Sequence, residues 1–316
     1  MLSQDQIRFF EDEGYLVIEN VIDQKTVLDP VRQEYAALMD RLYEGWHNEG
    51  KVPPPNGMGF DDKLLTAYRA GCDWFQPMDI SLPANEITND TPFHFGPAVF
   101  NLLTDPHLLD IVQCLIGSEI TSNPIQHVRI KPPANDLRSD ENRGHITKTD
   151  WHQDQGVTHE SADKTKLITV WIAVSDATRE NGCLQVQPRG HKKGLIPHCN
   201  NTQVGIPDEL LDQDNAKALP VNSGGIIIFH PLVPHGSRVN HTDGFRWSFD
   251  IRYNVTGQPT GRDHFPAFVA RSKRKPESIL TDPAKWLRLW EDTRAQLAAN
   301  NHVSLYRWDN SAPYCA

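Results

Sequence analysis

The stretch Trp151-His152-Gln153-Asp154 has the residue types and spacing from which a metal site can be built. In an extended segment, residues two apart project to the same face, so His152 and Asp154 can bind one ion from one side. Two histidines and one carboxylate on one face of an octahedron, with the other positions open, form the ligand set of non-heme Fe(II) oxygenases. The pair therefore predicts an iron site, provided that the chain supplies a second histidine.

A later stretch offers two candidates for this histidine, His230 and His235. We favour His235, because a Gly-Ser pair follows it and Arg246 lies eleven residues further along, on a predicted strand. Arginine can bind a carboxylate through two parallel N–H bonds, which suits Arg246 to anchoring an acidic co-substrate. For His230 we predict a structural role.

Composition limits the possible partners. The 316 residues include 31 Lys and Arg against 41 Asp and Glu, which gives a net charge of -10. An acidic surface argues against broad nucleic-acid binding, and no apolar run approaches the ~20 residues that span a bilayer. The five cysteines show no paired spacing and are predicted to be reduced thiols in a cytoplasmic protein. We expect a small-molecule substrate, no nucleic-acid or membrane partner, and leave the oligomeric state open.

Helices are indicated towards both ends of the chain. Ser3 and Gln6 form a capping box, and Gly14 is suited to ending the helix that starts there. Apolar residues at helical spacing predict further helices around residues 31–42, from Pro106 to Gly117, and from Asp282 to Asn300. Residues 45–97 are rich in Pro, Gly and aromatic residues without a sustained period, so this part is predicted to be irregular.

The middle of the chain has the pattern of a β-protein. Short β-type segments are separated by Gly, Pro, Asn and Asp, which favours a sandwich or barrel over a parallel sheet. The predicted strands are 15–18, 120–130, 167–174, 183–187, 226–229 and 246–253. Residues 132–149 are polar and charged, and are predicted to be a mobile surface loop.

With these motifs in view, the chain resembles the phytanoyl-CoA dioxygenase family of Fe(II)- and 2-oxoglutarate-dependent oxygenases. The resemblance covers roughly residues 3–255 and is densest from 131 to 246. It rests on Lys131-Pro132-Pro133, Trp151-His152-Gln153-Asp154, Val170-Trp171-Ile172-Ala173, Glu180-Asn181-Gly182-Cys183-Leu184, Gly190-His191-Lys192, His235-Gly236-Ser237 and Arg246.

The resemblance implies a mainly β fold with flanking helices, a double-stranded β-helix (a cupin-like jelly roll). We expect one dioxygenase domain over residues 1–316. Within it, residues 1–117 would be mostly helical or irregular, 118–256 would form the jelly-roll core with the metal site, and 257–316 would be an extension with a helix.

The resemblance also implies roles for individual residues. His152, Asp154 and His235 would bind Fe(II) and form the catalytic centre. The co-substrate 2-oxoglutarate would contact Arg246, Ser237, Trp171 and His127, with Gln126 as the alternative if the register shifts by one. Oxidation of a C–H bond by O2 would release succinate and CO2. Hydroxylation is favoured, because Asp154 stands where halogenating relatives have a small residue.

Substrate contacts and alternative functions remain hypotheses. On the strand after Arg246, Asp250 and Arg252 share its face, so Arg252 is a candidate to bind an anionic substrate. An internal pair between Asp250 and Arg252 is the alternative, and Gln153 is a second candidate for a substrate contact. A metal-dependent hydrolase and a catalytically silent metal-binding module are the other functions that the triad would allow.

Overall fold

A computed structural model describes the chain except for residues 84, 85, 142, 145, 202, 301–306, 309 and 316. Seven α-helices are present in the described residues; six of them precede residue 120, and the seventh follows the last strand. They are α1 (Gln4–Glu13), α2 (Asp29–Asn48), α3 (Phe60–Arg69), α4 (Phe75–Met78), α5 (Pro97–Leu103), α6 (Pro106–Ile116) and α7 (Pro283–Ala299).

The described strands form two main antiparallel sheets. They are β1 (Tyr15–Ile18), β2 (Ile120–Lys131), β3 (Thr149–His152), β4 (Leu167–Ala173), β5 (Leu184–Val186), β6 (Cys199–Asn200), β7 (Val204–Gly205), β8 (Lys217–Leu219), β9 (Ile226–Phe229), β10 (His235–Ser237), β11 (Arg246–Val255) and β12 (Phe268–Arg271). The large sheet has the order β1-β9-β4-β11-β2-β12, the smaller one has the order β3-β10-β5-β8, and β6 pairs with β7. This is the predicted mainly β jelly roll with flanking helices.

The two faces of the large sheet bury different sets of side chains. On β11, Trp247, Phe249, Ile251 and Tyr253 belong to the apolar cluster that includes the helices. A second cluster, which includes Trp171, Leu184 and Phe229, brings residues of the two sheets together. The alternation predicted for β11 is therefore confirmed, and its polar residues face the space between the sheets.

Local sequence signals account for most helix ends. The Ser3 side chain accepts a hydrogen bond from the Gln6 N–H, and Gly14 ends α1 with a left-handed φ of 81°. The helix predicted from Pro106 is capped by Asp105, and α7 is capped by Asp282. The prediction that residues 45–97 are irregular is wrong for α3 and for the four-residue α4. Both lie between Pro- and Gly-rich stretches, and neither has a side-chain cap at its start that the sequence could have shown.

The prediction that all five cysteines are thiols is wrong for two of them. Cys199 and Cys315 form a disulfide with their Cα atoms 5.4 Å apart. They are separated by 116 residues in the sequence, so only the return of the C-terminal segment to β6 brings them together. Cys72, Cys114 and Cys183 are free thiols.

Residues 97–116 are together long and apolar enough to cross a membrane, but just over half of this stretch is buried inside the protein. The stretch is divided into α5 and α6, and the Asp105 side chain caps the second helix. Its leucines Leu102, Leu103, Leu108 and Leu109 lie in the main apolar cluster. The arrangement is that of two core helices.

Candidate metal centre and co-substrate pocket

Strand pairing brings the two histidines of the predicted triad together. His152 is the last residue of β3 and His235 is the first of β10, and the two are direct partners in the antiparallel ladder. Their ring centroids are 4.3 Å apart. Asp154 follows β3 immediately, in a short 3-10 turn, and its carboxylate oxygens lie 3.9 Å from Nε2 of His152 and 3.9 Å from Nε2 of His235.

Backbone carbonyls determine which nitrogen of each ring faces the centre. Nδ1 of His152 donates to the carbonyl of Asp150 at 2.9 Å, and Nδ1 of His235 donates to that of Val233 at 3.1 Å. Each ring therefore keeps its proton on Nδ1 and presents the Nε2 lone pair to the space shared with Asp154. Such outer hydrogen bonds commonly orient metal-binding histidines.

Two strands hold the carboxylate of Asp154 between them. Thr169 of β4 donates its hydroxyl proton to Oδ2, and the Arg252 guanidinium of β11 donates to Oδ1. Thr169 and Arg252 are cross-strand neighbours, so one position of the large sheet supplies both donors. The carboxylate is fully buried, and this pair fixes its orientation.

The protonation states also suit a metal ion. Burial, reinforced by the neighbouring His235, lowers the pKa of His152 to about 3. Burial alone would raise the pKa of Asp154, but the charges of Arg252 and His235 outweigh it and lower that pKa below its ordinary value. At neutral pH the centre therefore holds a neutral imidazole and a carboxylate, the forms in which these groups bind metals.

The donor set fits Fe(II). The candidate ligand atoms of His152, Asp154 and His235 lie within 4.8 Å of one another, and all three residues are buried. Two imidazoles and one carboxylate match the facial triad, which leaves coordination positions for small ligands. His230 does not take part, because its ring lies against Phe10 and His191.

Arg246 fits a co-substrate carboxylate. It is fully buried in β11, yet its Nε and Nη2 atoms have no hydrogen-bond partner, and Nη1 makes only a 3.4 Å contact with Ser248. Burial, with a contribution from the charge of Arg129, lowers its pKa to about 9. A buried guanidinium with unused N–H groups is a site for an anion, and a carboxylate can satisfy two of them together.

Trp171 and Ser237 are two further residues that were predicted to contact the co-substrate. The Arg246 Cζ atom lies 5.3 Å from the ring centre of Trp171. Ser237 is two residues after His235 on β10, and its hydroxyl contacts Lys131 and Thr149. A narrow cavity lined by Trp171, Leu184, Phe229 and His235, among others, leads to the triad. Trp171 therefore contacts Arg246 and also lines the cavity at the two triad histidines, and a co-substrate contact of Ser237 stays a prediction.

The side chains of residues 126 and 127 point in different directions, and a contact of either with the co-substrate stays a prediction. His127 lines a second, larger cavity and its Nδ1 lies 2.9 Å from Oδ2 of Asp79. Gln126 faces away from it and donates to the Ile80 carbonyl at 2.9 Å. His127 therefore borders the space beside the metal site, and Gln126 is a buried structural residue.

The two predicted substrate residues have internal partners. Arg252 lines the larger cavity, but its guanidinium pairs with Asp154 and lies 3.8 Å from Asp250. The internal pair that the sequence left as the alternative is thus present, and a substrate contact of Arg252 stays a prediction.

Gln153 is buried and turned away from the cavity. Its side chain donates to the carbonyls of Gly194 and Leu232 and accepts from the N–H of Ile196. A substrate contact by Gln153 is therefore not supported, because these bonds hold the side chain among loop backbone atoms. Successive residues of an extended segment point to opposite faces, so Gln153 points away from the side on which His152 and Asp154 lie.

Several site residues were missed by the sequence analysis. Thr169 contacts Asp154, and Arg129 of β2 pairs with Asp250 at 2.8 Å. Thr169 lies two residues before Trp171 on the same face of β4, so strand alternation could have identified it. The pairing of Arg129 with Asp250 depends on the β2–β11 register, for which the sequence carries no local signal.

Comparisons with known proteins agree with this geometry. The family model described as phytanoyl-CoA dioxygenase (PhyH) matches residues 10–248. A probable phytanoyl-CoA dioxygenase of Caenorhabditis elegans is 30% identical over 273 residues, which cover 80% of this chain and 75% of the relative. The peroxisomal phytanoyl-CoA dioxygenase of Rattus norvegicus is 26% identical over 262 residues, with 80% of this chain and 68% of the relative covered.

Solved structures share the fold. EvdO2 from Micromonospora carbonacea var. aurantiaca, in complex with 2-oxoglutarate, is 21% identical with a TM-score of 0.52, covering 81% of this chain and 92% of that one. The apo form of the non-heme monooxygenase ThoJ has a TM-score of 0.57 at 16% identity, covering 94% and 100% of the two chains. The chain therefore belongs to the phytanoyl-CoA dioxygenase family, and is a non-heme Fe(II)- and 2-oxoglutarate-dependent dioxygenase.

Proposed function

We propose that this dioxygenase hydroxylates an unactivated C–H bond of a small metabolite that carries an anionic group, with release of succinate and CO2. When bound, Fe(II) together with 2-oxoglutarate and O2 supplies the oxidant for such a reaction. The observation that carries the proposal is a cavity of about 340 Å³ that reaches His152 from the side of His127, while Trp171 lines a separate narrow cavity beside the triad. We infer that the substrate occupies the larger cavity and that the co-substrate binds on the side of Trp171 and Arg246.

The size and lining of the larger cavity favour a small molecule. Its volume is near the lower end of the ~300–1,000 Å³ typical of ligand pockets. Apolar side chains can hold a hydrocarbon part of the substrate against the metal and exclude water. The apolar lining includes Phe75, Leu82, Ile125, Val157 and Phe265.

The charges around the centre favour an anionic substrate. Five buried basic side chains around the two cavities, Arg129, Lys131, Arg246, Arg252 and Arg262, accompany three buried carboxylates, Asp79, Asp154 and Asp250. A divalent metal and dianionic 2-oxoglutarate cancel each other, so the excess of positive charge remains. A pocket of this sign concentrates and orients an anion.

Two features support hydroxylation over the alternatives. The Asp154 carboxylate is held by Thr169 and Arg252, so the protein can supply a third metal ligand at the position where a halogenating enzyme would bind halide. A hydrolase would use the same triad to activate water, but it would have no use for the unpaired N–H groups of Arg246. Both features are accounted for by an oxygenase that inserts oxygen into a C–H bond.

A cytoplasmic location and the absence of nucleic-acid and membrane partners remain parts of the proposal. The Cys199–Cys315 disulfide weighs against a reducing compartment, because thiols there are normally kept reduced. Measuring the redox state of these two cysteines in protein alkylated immediately on cell lysis tests the location.

The activity itself can be tested by substrate screening. The iron-loaded enzyme would be supplied with 2-oxoglutarate, O2 and matched pairs of compounds that differ only in an anionic group, including short alkylphosphonates. The phosphonates are included because a methylphosphonate hydroxylase of Gimesia maris is 33% identical over 105 residues, although these cover only 33% of this chain. We expect substrate-dependent succinate and a product heavier by one oxygen atom, formed from the anionic member of a pair.

Variants separate the outcomes. Asp154→Ala should abolish turnover, and Asp140→Ala, which changes an acid whose side chain is 81% exposed, should leave it unchanged. Preference for neutral compounds would contradict the charge argument. Succinate formed with a product that has lost two hydrogens would contradict hydroxylation and indicate desaturation or ring closure.

A further inference from the structure

Two buried cations face each other across the β2–β11 ladder. Lys131, the last residue of β2, is the direct register partner of Arg246, the first residue of β11. Both side chains are fully buried. Like charges placed opposite each other on neighbouring strands destabilise a sheet, and buried cations normally have an anionic partner.

Neither cation has such a partner in the described part of the chain. The Lys131 ammonium donates to the Ser237 hydroxyl at 2.5 Å and to the Arg238 carbonyl at 3.1 Å, both of which are neutral acceptors. Arg246 has two unpaired nitrogens and one long contact with Ser248. No ion pair joins either residue to a carboxylate among the described residues, although most other buried arginines near the centre have one.

The electrostatic cost of this arrangement falls on Lys131. Burial, followed by the charges of Arg246 and Arg129, lowers the pKa of Lys131 well below its ordinary value. Of the two neutral acceptors of its ammonium, the Ser237 hydroxyl in turn donates to Thr149. An anion placed between Lys131 and Arg246 would remove this cost, because it would be attracted by both.

We propose that Lys131 is a second cationic anchor for the distal carboxylate of 2-oxoglutarate, acting together with Arg246 and with the Ser237 hydroxyl that the Lys131 ammonium contacts. This inference deepens the co-substrate site described above. Lys131 is a positioning and specificity residue: it distinguishes a dicarboxylic 2-oxo acid from one that lacks the second carboxylate. The lysine of the Lys131-Pro132-Pro133 motif would then contribute to co-substrate binding.

The proposal predicts a loss that depends on the ligand. Hydrogen bonds to charged groups contribute enough to change a binding constant by about 10- to 100-fold. Lys131→Met should therefore weaken 2-oxoglutarate binding by about 10- to 100-fold. It should leave the binding of 2-oxopentanoate, which has a methyl group in place of the distal carboxylate, almost unchanged.

The experiment is anaerobic calorimetric titration of both 2-oxo acids into the Fe(II)-loaded full chain. Wild type, Lys131→Met and the matched control Lys164→Met, which changes an exposed lysine, would be compared. We expect the control to behave as wild type. Denaturation of each variant without ligand adds a readout: Lys131→Met should be at least as stable as wild type, because an unpaired buried cation has been removed.

The possible outcomes are distinct. Equal affinity of wild type and Lys131→Met for 2-oxoglutarate would overturn the proposal, and so would an equal loss for both 2-oxo acids, which indicates a structural lysine. If Lys131→Met does not fold, Lys131→Gln keeps a hydrogen-bond donor without the charge and is judged by the same two affinities. Absence of 2-oxoglutarate binding by wild type would instead contradict the reaction class itself.

Discussion

The pair formed by Arg252 and Asp154 allows a quantitative test of how the metal ligand is held. Arg252 is 2% exposed and Asp154 is 0% exposed, so the two charges compensate each other away from water. Removing one partner of a buried ion pair costs about 3–5 kcal/mol, because the other charge is left uncompensated. We expect Arg252→Met to lower the free energy of unfolding of the metal-free protein by about this amount at pH 8.

The pH dependence of this loss gives a second check. In wild type the pKa of Asp154 lies below its ordinary value, so the carboxylate stabilises the fold above the unfolded pKa and loses that contribution as the pH falls. In Arg252→Met, burial without Arg252 should raise the pKa of Asp154. The carboxyl group can then take up a proton at mildly acidic pH, so the difference between variant and wild type should be smaller at pH 5 than at pH 8.

A double-mutant cycle in the presence of a chelator completes the test. Urea denaturation would be measured for wild type, Arg252→Met, Asp154→Asn and the double variant. Removing both charges avoids the unpaired carboxylate, so the double variant should be more stable than Arg252→Met alone. Additive losses, or a loss for Arg252→Met that is the same at pH 5 and pH 8, would refute the ion-pair account.

Three further predictions concern the surroundings of the centre. Cys199→Ser should lower the free energy of unfolding by about 4–5 kcal/mol in urea without reductant, because the disulfide spans a sequence separation of 116 residues, and the difference should vanish in dithiothreitol. Burial lowers the pKa of His198 to about 4, and its Nε2 accepts a hydrogen bond from the Gln153 N–H. The free energy of unfolding of wild type should therefore fall by up to about 1.4 kcal/mol per pH unit as the pH drops from 6.5 towards 4. The variant His198→Asn should reduce this slope. Gly236→Ala would place a Cβ atom 2.9 Å from the Thr149 carbonyl oxygen, so it should disturb the β3–β10 pairing and weaken Mn(II) binding, measured by electron paramagnetic resonance, about 10-fold or more.

The sequence predicted the parts of the site that depend on local patterns. The spacing of His152 and Asp154, the choice of His235 over His230, and the alternation along β11 all agree with the structure, because each follows from the direction of side chains on an extended segment. The six predicted strands are present with small shifts at their ends. Periodic patterns of this kind are the strongest signals in a single sequence.

The parts that were missed depend on contacts between distant residues. β10 has only three residues, which is too short for an alternating pattern to be recognised. The partners of Arg252 and Arg129 are set by the register of strands separated by about a hundred residues or more, and the Cys199–Cys315 disulfide by the path of the C-terminal segment. Charge type can be identified in a sequence, but the choice among many possible partners follows only from the packed structure.

β11 shows how one strand can serve two functions at the same centre. Arg246 and Arg252 lie on the same face, six residues apart, which corresponds to roughly 20 Å along a strand. Arg252 has Asp154 as its partner and Asp250 nearby, so its charge is used to hold a metal ligand. Arg246 faces Lys131 and has no carboxylate partner among the described residues. Arg252 thus orients a metal ligand at one end of the strand, whereas we expect Arg246 to bind an anion at the other, because, within the residues that the structure describes, the fold places an acidic partner beside only one of the two arginines.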